Sequence, residues 1–252
     1  MEKHFEINEN GNNIRCKAYL GESKPIKKAV MFCTGFAGHK DNNVAKRFAE
    51  KALSKHKDIA VITFNWPAHG DDIKKKLVLK DCDAYLETVI NEVKLNFCEK
   101  NLYAYGNSFG GYLVLKYISE HDNPFHRIAL RCPAINMKQV LTRSIMRSDE
   151  YDRIMKGKNA TVGFDRKIVV NQELLNELSA SDIRRREYFD EADNIIIFHG
   201  TKDEVVPFEE SEEFAERNVI EFVPVEGADH RFQKQTHTDY VNKKVLEFFY
   251  DE

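Results

Sequence analysis

Short apolar runs recur along the chain, and segments with helical spacing separate them. The runs are rich in β-branched and aromatic residues, and they cover positions 29–33, 59–64, 101–105, 127–131, 194–199 and 219–225. Strands that are buried on both faces, as in a parallel sheet, typically show such continuous apolar runs. Candidate helices lie at 42–54, 82–98, 110–120, 208–217 and 237–249. This alternation predicts an α/β fold in which helices flank a mostly parallel central sheet.

The first twenty residues differ from this rhythm. Apolar residues alternate with polar ones around Phe5 and Ile7 and again around Ile14, and an Asn-Gly-Asn sequence at 10–12 lies between the two stretches. Alternation on both sides of a turn signal is typical of a β-hairpin. We therefore expect the chain to open with two antiparallel strands.

A long interval between Pro133 and Ala192 interrupts the alternation. It is about sixty residues long, far more than a connection between a strand and a helix needs, and long insertions in compact domains commonly form lids. The whole chain of 252 residues is of ordinary length for one α/β domain. We predict a single domain over 1–252, with a mainly helical cap inserted at 133–192.

The composition excludes several classes of partner. The formal net charge is −3, which leaves no basic excess to hold a phosphate backbone, so nucleic acid is not expected. No apolar stretch approaches the ~18 residues of a membrane span, and the N-terminus lacks the apolar core of a signal peptide. We expect a soluble, cytoplasmic protein without a membrane span. A homodimer is compatible with the sequence.

The five cysteines are Cys16, Cys33, Cys82, Cys98 and Cys132. They form no CxxC pair, and an odd number of scattered cysteines indicates free thiols rather than a disulfide framework or a zinc site. The sequence therefore predicts neither a bound metal nor a cofactor.

The sequence Gly-Asn-Ser-Phe-Gly at 106–110 directly follows one predicted strand and precedes one predicted helix. A sharp turn from strand to helix requires glycines two positions on either side, and it exposes the central residue in a strained conformation. That residue is Ser108, which is the candidate nucleophile. Its place at a helix N-terminus sets the backbone N–H of Phe109 beside any oxyanion that forms.

A serine hydroxyl is a weak nucleophile, so it needs a base, and the base needs an acid to orient it. Asp203 lies in the loop after the run at 194–199, and His230 lies in the loop after the run at 219–225. Ser108, Asp203 and His230 thus all follow strands whose carboxyl ends share one edge of the predicted sheet. Their chain order is that of α/β hydrolases. The neighbouring acids Glu204 and Asp229 are alternatives to Asp203.

A second donor to the oxyanion is expected in the loop after the run at 29–33. Two glycines there, Gly35 and Gly38, let the backbone approach a substrate closely. The backbone N–H of Phe36 is the candidate donor, together with that of Phe109. A plain turn that needs flexible residues is the alternative interpretation of these glycines.

Five motifs together resemble the α/β-hydrolase superfamily, and within it the small bacterial cap-bearing esterases of the cinnamoyl (feruloyl) esterase and monoacylglycerol lipase type. They extend over nearly the whole chain and read CTGFAGHKDN, FNWPAHGDD, GNSFGGYLVLKY, HGTKDEVVP and VEGADHRF. The resemblance implies that Ser108, Asp203 and His230 form the triad, and it ranks Asp203 above the neighbouring acids. Thr34 stands where such proteins usually have histidine, and 65–70 replaces their usual aspartate-led loop.

Other motifs in the chain allow different interpretations. His69 and His199 are expected to be structural, because buried histidines usually bind a backbone group. The glycines at 106–111 lack GxGxxG spacing, and no P-loop lysine follows them, which argues against a nucleotide loop. Cys33 lies in the apolar end of a strand, which favours core packing over a nucleophilic role.

The sequence therefore predicts a serine hydrolase that cleaves a small-molecule carboxylic ester through an acyl-enzyme. An aromatic or short to medium acyl group is implied by the resemblance, and the apolar residues of the insertion suit such a pocket. A thioesterase or a serine peptidase would use the same triad. A noncatalytic binding protein on this fold is a further alternative.

Overall fold

The computed structural model describes residues 1–9, 11–23, 25–72 and 75–250. The strands of this part of the chain are β1 (Glu2–Glu9), β2 (Asn12–Leu20), β3 (Lys28–Cys33), β4 (Ile59–Phe64), β5 (Asn101–Asn107), β6 (Arg127–Arg131), β7 (Ala160–Val162), β8 (Ile168–Val170), β9 (Ile195–Gly200) and β10 (Glu221–Val225). Its α-helices are α1 (Asn43–Lys55), α2 (Leu79–Asn96), α3 (Phe109–Glu120), α4 (Met137–Gln139), α5 (Ser148–Met155), α6 (Gln172–Ala180), α7 (Phe208–Asn218) and α8 (Gln235–Tyr250).

Eight of the strands form one sheet in the order β1-β2-β4-β3-β5-β6-β9-β10. The first two strands pair antiparallel, and β2 pairs antiparallel with β4, whereas the neighbours from β4 to β10 are parallel. This architecture confirms the predicted α/β fold. Because parallel strands share their carboxyl edge, the loops after β3, β5, β9 and β10 meet at one place.

Helices cover both faces of the sheet. On one face, α1 and α8 bury Phe48, Val241 and Val245 against β3 and β5. On the other face, α2 and α3 bury residues such as Val89 and Leu113. The strands are apolar almost throughout because both of their faces are covered. None of the described helices is long and apolar enough to cross a bilayer.

Several element boundaries differ from the sequence predictions by one to three residues, and two of these differences have a clear physical cause. Helix α2 begins at Leu79, three residues before the predicted start, because the Glu177 carboxylate accepts the N–H of Leu79 at 2.8 Å. Strand β10 begins at Glu221 rather than at 219, because Val219 ends α7 in the left-handed conformation with φ 60°. The predicted N-terminal hairpin is formed by β1 and β2, and Asn10 of its turn lies outside the described residues.

The segment between β6 and β9 contains helices and also a small sheet. Besides α4, α5 and α6 it has a π-helical stretch at Val140–Ile145 and an antiparallel pair, β7 and β8, which the sequence analysis did not predict. The β7–β8 turn carries Asp165, whose carboxylate lies 3.3 Å from the guanidinium of Arg231 in the loop after β10. The segment therefore contacts the carboxyl edge of the sheet directly.

Candidate active site

A cavity of about 820 Å³ opens at the carboxyl edge of the sheet. Ser108 and His230 line it, together with Phe36 from the loop after β3. Ile145 and Phe164, from the segment between β6 and β9, line it as well. Loops after three strands and the inserted segment thus enclose one volume around the predicted nucleophile.

Ser108 occupies a strained turn between β5 and α3. Its backbone has φ 49° and ψ −115°, a region that non-glycine residues rarely adopt and that costs roughly 1–3 kcal/mol. The surrounding turn has no space for side chains: a Cβ atom on Gly106 would lie 2.8 Å from Cα of Gly111. The Ser108 N–H donates to the carbonyl of Arg131 at 3.0 Å, and the Ser108 carbonyl accepts from Tyr112 at 3.1 Å. These contacts hold the serine at the start of α3.

Replacing Gly110 with alanine should destabilise the protein by about 3 kcal/mol, because backbone rather than a flexible side chain stands in the way. The new Cβ would lie 2.2 Å from the carbonyl oxygen of Cys33 and 2.6 Å from that of Thr34. Urea unfolding measures the change. Gly35→Ala is the matched control, since its Cβ would make an ordinary contact at 3.4 Å with Cβ of Ser108. Equal stability of both variants would contradict this steric account.

The structure brings Asp203 and His230 together. Nδ1 of His230 lies 2.7 Å from Oδ2 of Asp203, and the aspartate side chain is completely buried. Since a carboxylate accepts, Nδ1 carries the proton and Nε2 is left as the basic nitrogen. This tautomer is the one that a general base beside a serine requires.

Asp203 is held as a carboxylate by four donors. Oδ1 accepts the N–H groups of Val205 and Val206, both at 2.8 Å. Oδ2 accepts from His230, and Nε2 of His199 lies 3.2 Å from the same oxygen. Burial by itself would raise the pKa of Asp203, but the hydrogen bonds from His199, His230 and Val206 outweigh it and hold the pKa well below its ordinary value.

His199 is the residue of this site that the sequence analysis missed. It was expected to bind a backbone group, and its Nε2 does lie 3.1 Å from the Val206 carbonyl. Its proximity to Asp203 adds a second contact. The sequence signal was the spacing of four residues between His199 and Asp203. At this spacing a buried histidine near the end of a strand can contact an aspartate in the loop that follows the strand.

Ser108 and His230 face the same cavity but form no hydrogen bond with each other in the described structure. The side chain of His230 is 15% exposed, so its ring borders the cavity rather than the core. Hydrogen bonds between nucleophile and base are often long before substrate binds and tighten in the reactive complex. The structure thus joins His230 to Asp203 and places Ser108 on the same cavity, and the role of the three residues as a catalytic triad stays a prediction.

The loop after β3 passes directly over Ser108. A Cβ on Gly35 would lie 3.4 Å from Cβ of Ser108 and 3.9 Å from its Oγ. The next residue, Phe36, packs its ring against that of Phe109 with 5.9 Å between centroids. Neither backbone N–H, of Phe36 or of Phe109, donates to another described residue. Two backbone amides without an acceptor in the described structure therefore lie in the loops around Ser108, and their role as oxyanion donors stays a prediction.

His69 packs against the aromatic residues beside Ser108. Its ring contacts the rings of Phe36 and Phe109, and its Nδ1 donates to the Pro67 carbonyl at 2.8 Å. Burial lowers the pKa of His69 to about 4. This histidine is therefore neutral in the folded protein near pH 7, in agreement with a structural role.

The low pKa of His69 predicts a loss of stability in acid. The unfolded chain binds a proton there near pH 6.5 and the folded chain only near pH 4, so acidification between these values favours unfolding. Through His69 the free energy of unfolding should fall by about 2 kcal/mol from pH 7 to pH 5. Urea unfolding of wild type and His69→Phe at both pH values measures this. Identical pH dependence in the two proteins would refute the assignment.

The other candidate residues form no hydrogen bond with the side chain of His230 in the described part of the chain. Glu204 lines the cavity without a hydrogen bond to His230, and Asp229 accepts the N–H of Gln233 at 3.0 Å. Cys33 is completely buried, and burial raises its pKa far above the ordinary value. The Cys132 thiol lies within 4.8 Å of possible ligand atoms of Asp203 and His230. Burial also raises the pKa of Cys132 well above its ordinary value, and this disfavours the thiolate that would bind a metal.

The sheet order, the serine at the strained turn after β5 and the Asp203–His230 pair together define a serine hydrolase of the α/β-hydrolase fold. The sequence profile of the prolyl oligopeptidase family, peptidase family S9, matches residues 63–252, and the chain belongs to this family. Among curated protein sequences, no significant match was found.

Several solved structures have the same fold and align with nearly the whole chain. Est1E from Butyrivibrio proteoclasticus has a TM-score of 0.75 and 18% identity, with 98% of both chains covered, and another structure of it contains ferulic acid. A soluble variant of monoglyceride lipase from Saccharomyces cerevisiae has a TM-score of 0.74 and 13% identity, with 99% of this chain and 95% of the lipase covered. Mouse α/β hydrolase domain-containing protein 10 has a TM-score of 0.71 and 15% identity, with 98% of both chains covered. These likenesses show that the chain has the predicted fold.

Proposed function

We propose that this chain is a carboxylic ester hydrolase that works through an acyl-enzyme on Ser108. The observation that carries the proposal is the hydrogen bond from Nδ1 of His230 to the buried Asp203, formed in the same cavity as a serine in a strained strand-to-helix turn. Such a bond leaves Nε2 free to take the serine proton, and this is what an unactivated hydroxyl needs to attack a carbonyl.

The steps of the proposed reaction follow from these positions. Nε2 of His230 takes the proton of Ser108 as Oγ attacks the ester carbonyl. The N–H groups of Phe36 and Phe109 stabilise the oxyanion, an effect of roughly 3 kcal/mol per donor. His230 then protonates the leaving alkoxide. Water, deprotonated by the same imidazole, releases the acid and restores the serine.

We further propose that 133–192 acts as a cap over this reaction. Ser144 and Ile145 line the cavity from the π-helical stretch, and Phe164 and Arg166 line it from the β7–β8 turn. The ion pair between Asp165 and Arg231 connects the cap to the loop of the proposed base. A cover of this kind excludes water and strengthens the electrostatic interactions beneath it.

The support for an ester comes from the solved relatives. Est1E was crystallised with ferulic acid, and the yeast lipase is named for monoglycerides. Both align with nearly the full chain, including the part before residue 63, where the family profile does not reach. An aromatic or short to medium acyl group remains our proposal for the substrate.

A serine peptidase is the second candidate, because the family profile is that of prolyl oligopeptidases. The same triad cleaves amides when the leaving amine is protonated by the histidine. A panel of p-nitrophenyl esters, acyl thioesters and aminoacyl anilides separates the candidates. We expect kcat/KM to be highest for the esters. A higher kcat/KM on anilides or on thioesters would replace the esterase proposal with the corresponding alternative.

A further inference from the structure

Arg131 lines the active-site cavity, and its backbone carbonyl accepts the N–H of Ser108 at 3.0 Å. It is the last residue of β6, it pairs in register with Asn107 of β5, and it is only 6% exposed. Alternation along β6 puts it on the same sheet face as Ala129, which belongs to the core layer under α1. Phe32, Asn107 and Arg131 all line the cavity, together with Asn43 and Val44 of α1. We call this part of the cavity the Arg131 crevice.

The charge of Arg131 has no counterion in the described part of the chain. Its guanidinium forms no ion pair and no hydrogen bond there, and its Cζ atom lies over the ring of Phe232, 5.0 Å from the ring centroid. A buried charge without a counterion is strongly unfavourable, so arginines this deeply buried are normally paired. An unpaired guanidinium that borders a cavity is therefore poised to bind an anion from outside.

The wall of the crevice adds a second positive feature. Helix α1 begins there, and its first turn contains no acidic residue. The side chain of Asn42 caps the N–H of Ala45, whereas the first N–H groups of a helix have no acceptor within it. The positive end of the helix dipole thus faces the same space as Arg131.

The acidic residues of the cavity do not neutralise this charge. Asp41 is paired with Lys40, and Asp165 is paired with Arg231. Glu204 lines the cavity but forms no ion pair with Arg131 in the described structure. One guanidinium and one helix end match the single charge of a carboxylate better than the double charge of a phosphate ester. A planar carboxylate also fits the planar donor pattern of arginine.

We propose that the Arg131 crevice binds a carboxylate of the substrate, so that the enzyme prefers esters that carry a free carboxylate on the acyl or the alcohol part. This inference rests on the proposed ester hydrolysis at Ser108, which lines the same cavity as Arg131. Arg131 acts here as a specificity-determining residue and takes no part in bond breaking.

The experiment compares charged and neutral esters of matched shape. Monoethyl adipate against ethyl hexanoate places the carboxylate on the acyl part, and 4-carboxyphenyl butanoate against phenyl butanoate places it on the alcohol part. Wild type should prefer the charged member of one pair about tenfold or more in kcat/KM, and Arg131→Gln should lower that ratio about 10- to 100-fold. Arg47→Gln, exposed on α1 and outside the cavity, should keep the wild-type ratio.

A second variant keeps the test valid if Arg131→Gln does not fold. Asn43→Asp adds a negative charge at the crevice in the first turn of α1, where an acid stabilises the helix. It should lower the same ratio by repelling the substrate carboxylate. No preference for either charged ester in wild type, or an unchanged ratio in the variants that fold, would overturn the proposal.

A binding measurement separates this proposal from the proposed reaction. Adipate and 4-hydroxybenzoate are titrated calorimetrically into Ser108→Ala protein with and without Arg131→Gln, which requires no turnover. If one of these anions binds Ser108→Ala and its affinity falls at least tenfold in the double variant, the result supports carboxylate binding in the Arg131 crevice even if no ester is hydrolysed. Binding of neither, or equal binding to both proteins, counts against the crevice, whereas the reaction is judged separately by fluorophosphonate labelling of Ser108.

Discussion

Replacing Ser108 with alanine should lower kcat/KM by about four to six orders of magnitude while the protein stays folded. The large effect is expected because nucleophile and base act as one unit, and without the hydroxyl no acyl-enzyme can form. Steady-state hydrolysis of the best p-nitrophenyl ester measures it. A fluorophosphonate probe gives an independent measure, since it should label wild type at Ser108 and leave the variant unlabelled.

The stability of the alanine variant is part of the same prediction. Ser108 has φ 49° in a turn where strain costs roughly 1–3 kcal/mol, and its Oγ is not among the atoms that hold α3 in place. Its backbone N–H and carbonyl make the bonds to Arg131 and Tyr112, and alanine keeps both. We expect a melting temperature close to that of wild type. Retained esterase activity in the folded variant would remove Ser108 from the mechanism.

The parallel sheet could be predicted from the sequence because its strands are buried on both faces. The run at 59–64 is an example: it has no polar residue except Thr63, and all six residues are buried. The strained turn could be predicted as well, since Gly106 and Gly110 leave few other structures for the segment between them. In these segments the local sequence pattern and the position in the fold favour the same structure.

Other features depend on partners far away in the sequence. The start of α2 at Leu79 depends on Glu177 as its hydrogen-bond acceptor, 98 residues later, and no local motif encodes such a cap. Strands β7 and β8 have three residues each, too few for a periodicity to be recognised. The unpaired charge of Arg131 is likewise invisible in the sequence, because only the fold determines which charges find a counterion.

Asp203→Asn should have the second largest effect and lower kcat by about 10⁴-fold. The amide occupies the same volume, but its NH₂ group can turn toward Nδ1 of His230, which then accepts and leaves the proton on Nε2. In that tautomer the ring cannot take the proton of Ser108. The variant also removes the carboxylate that stabilises the imidazolium formed during attack. Ester hydrolysis measured from pH 6 to pH 10 checks whether activity recovers only at high pH, where hydroxide can replace the base.

Glu204→Gln is the matched control for Asp203→Asn, because it neutralises the neighbouring carboxylate without touching the bond to His230. The structure gives Asp203 a completely buried side chain, two backbone donors and two histidines, whereas Glu204 borders the open cavity. We expect the control to lose less than about tenfold, a small effect for a group that makes no contact with the base. If instead Glu204→Gln abolished turnover while Asp203→Asn retained it, the acid of the triad would be Glu204, and the bond at 2.7 Å would be structural.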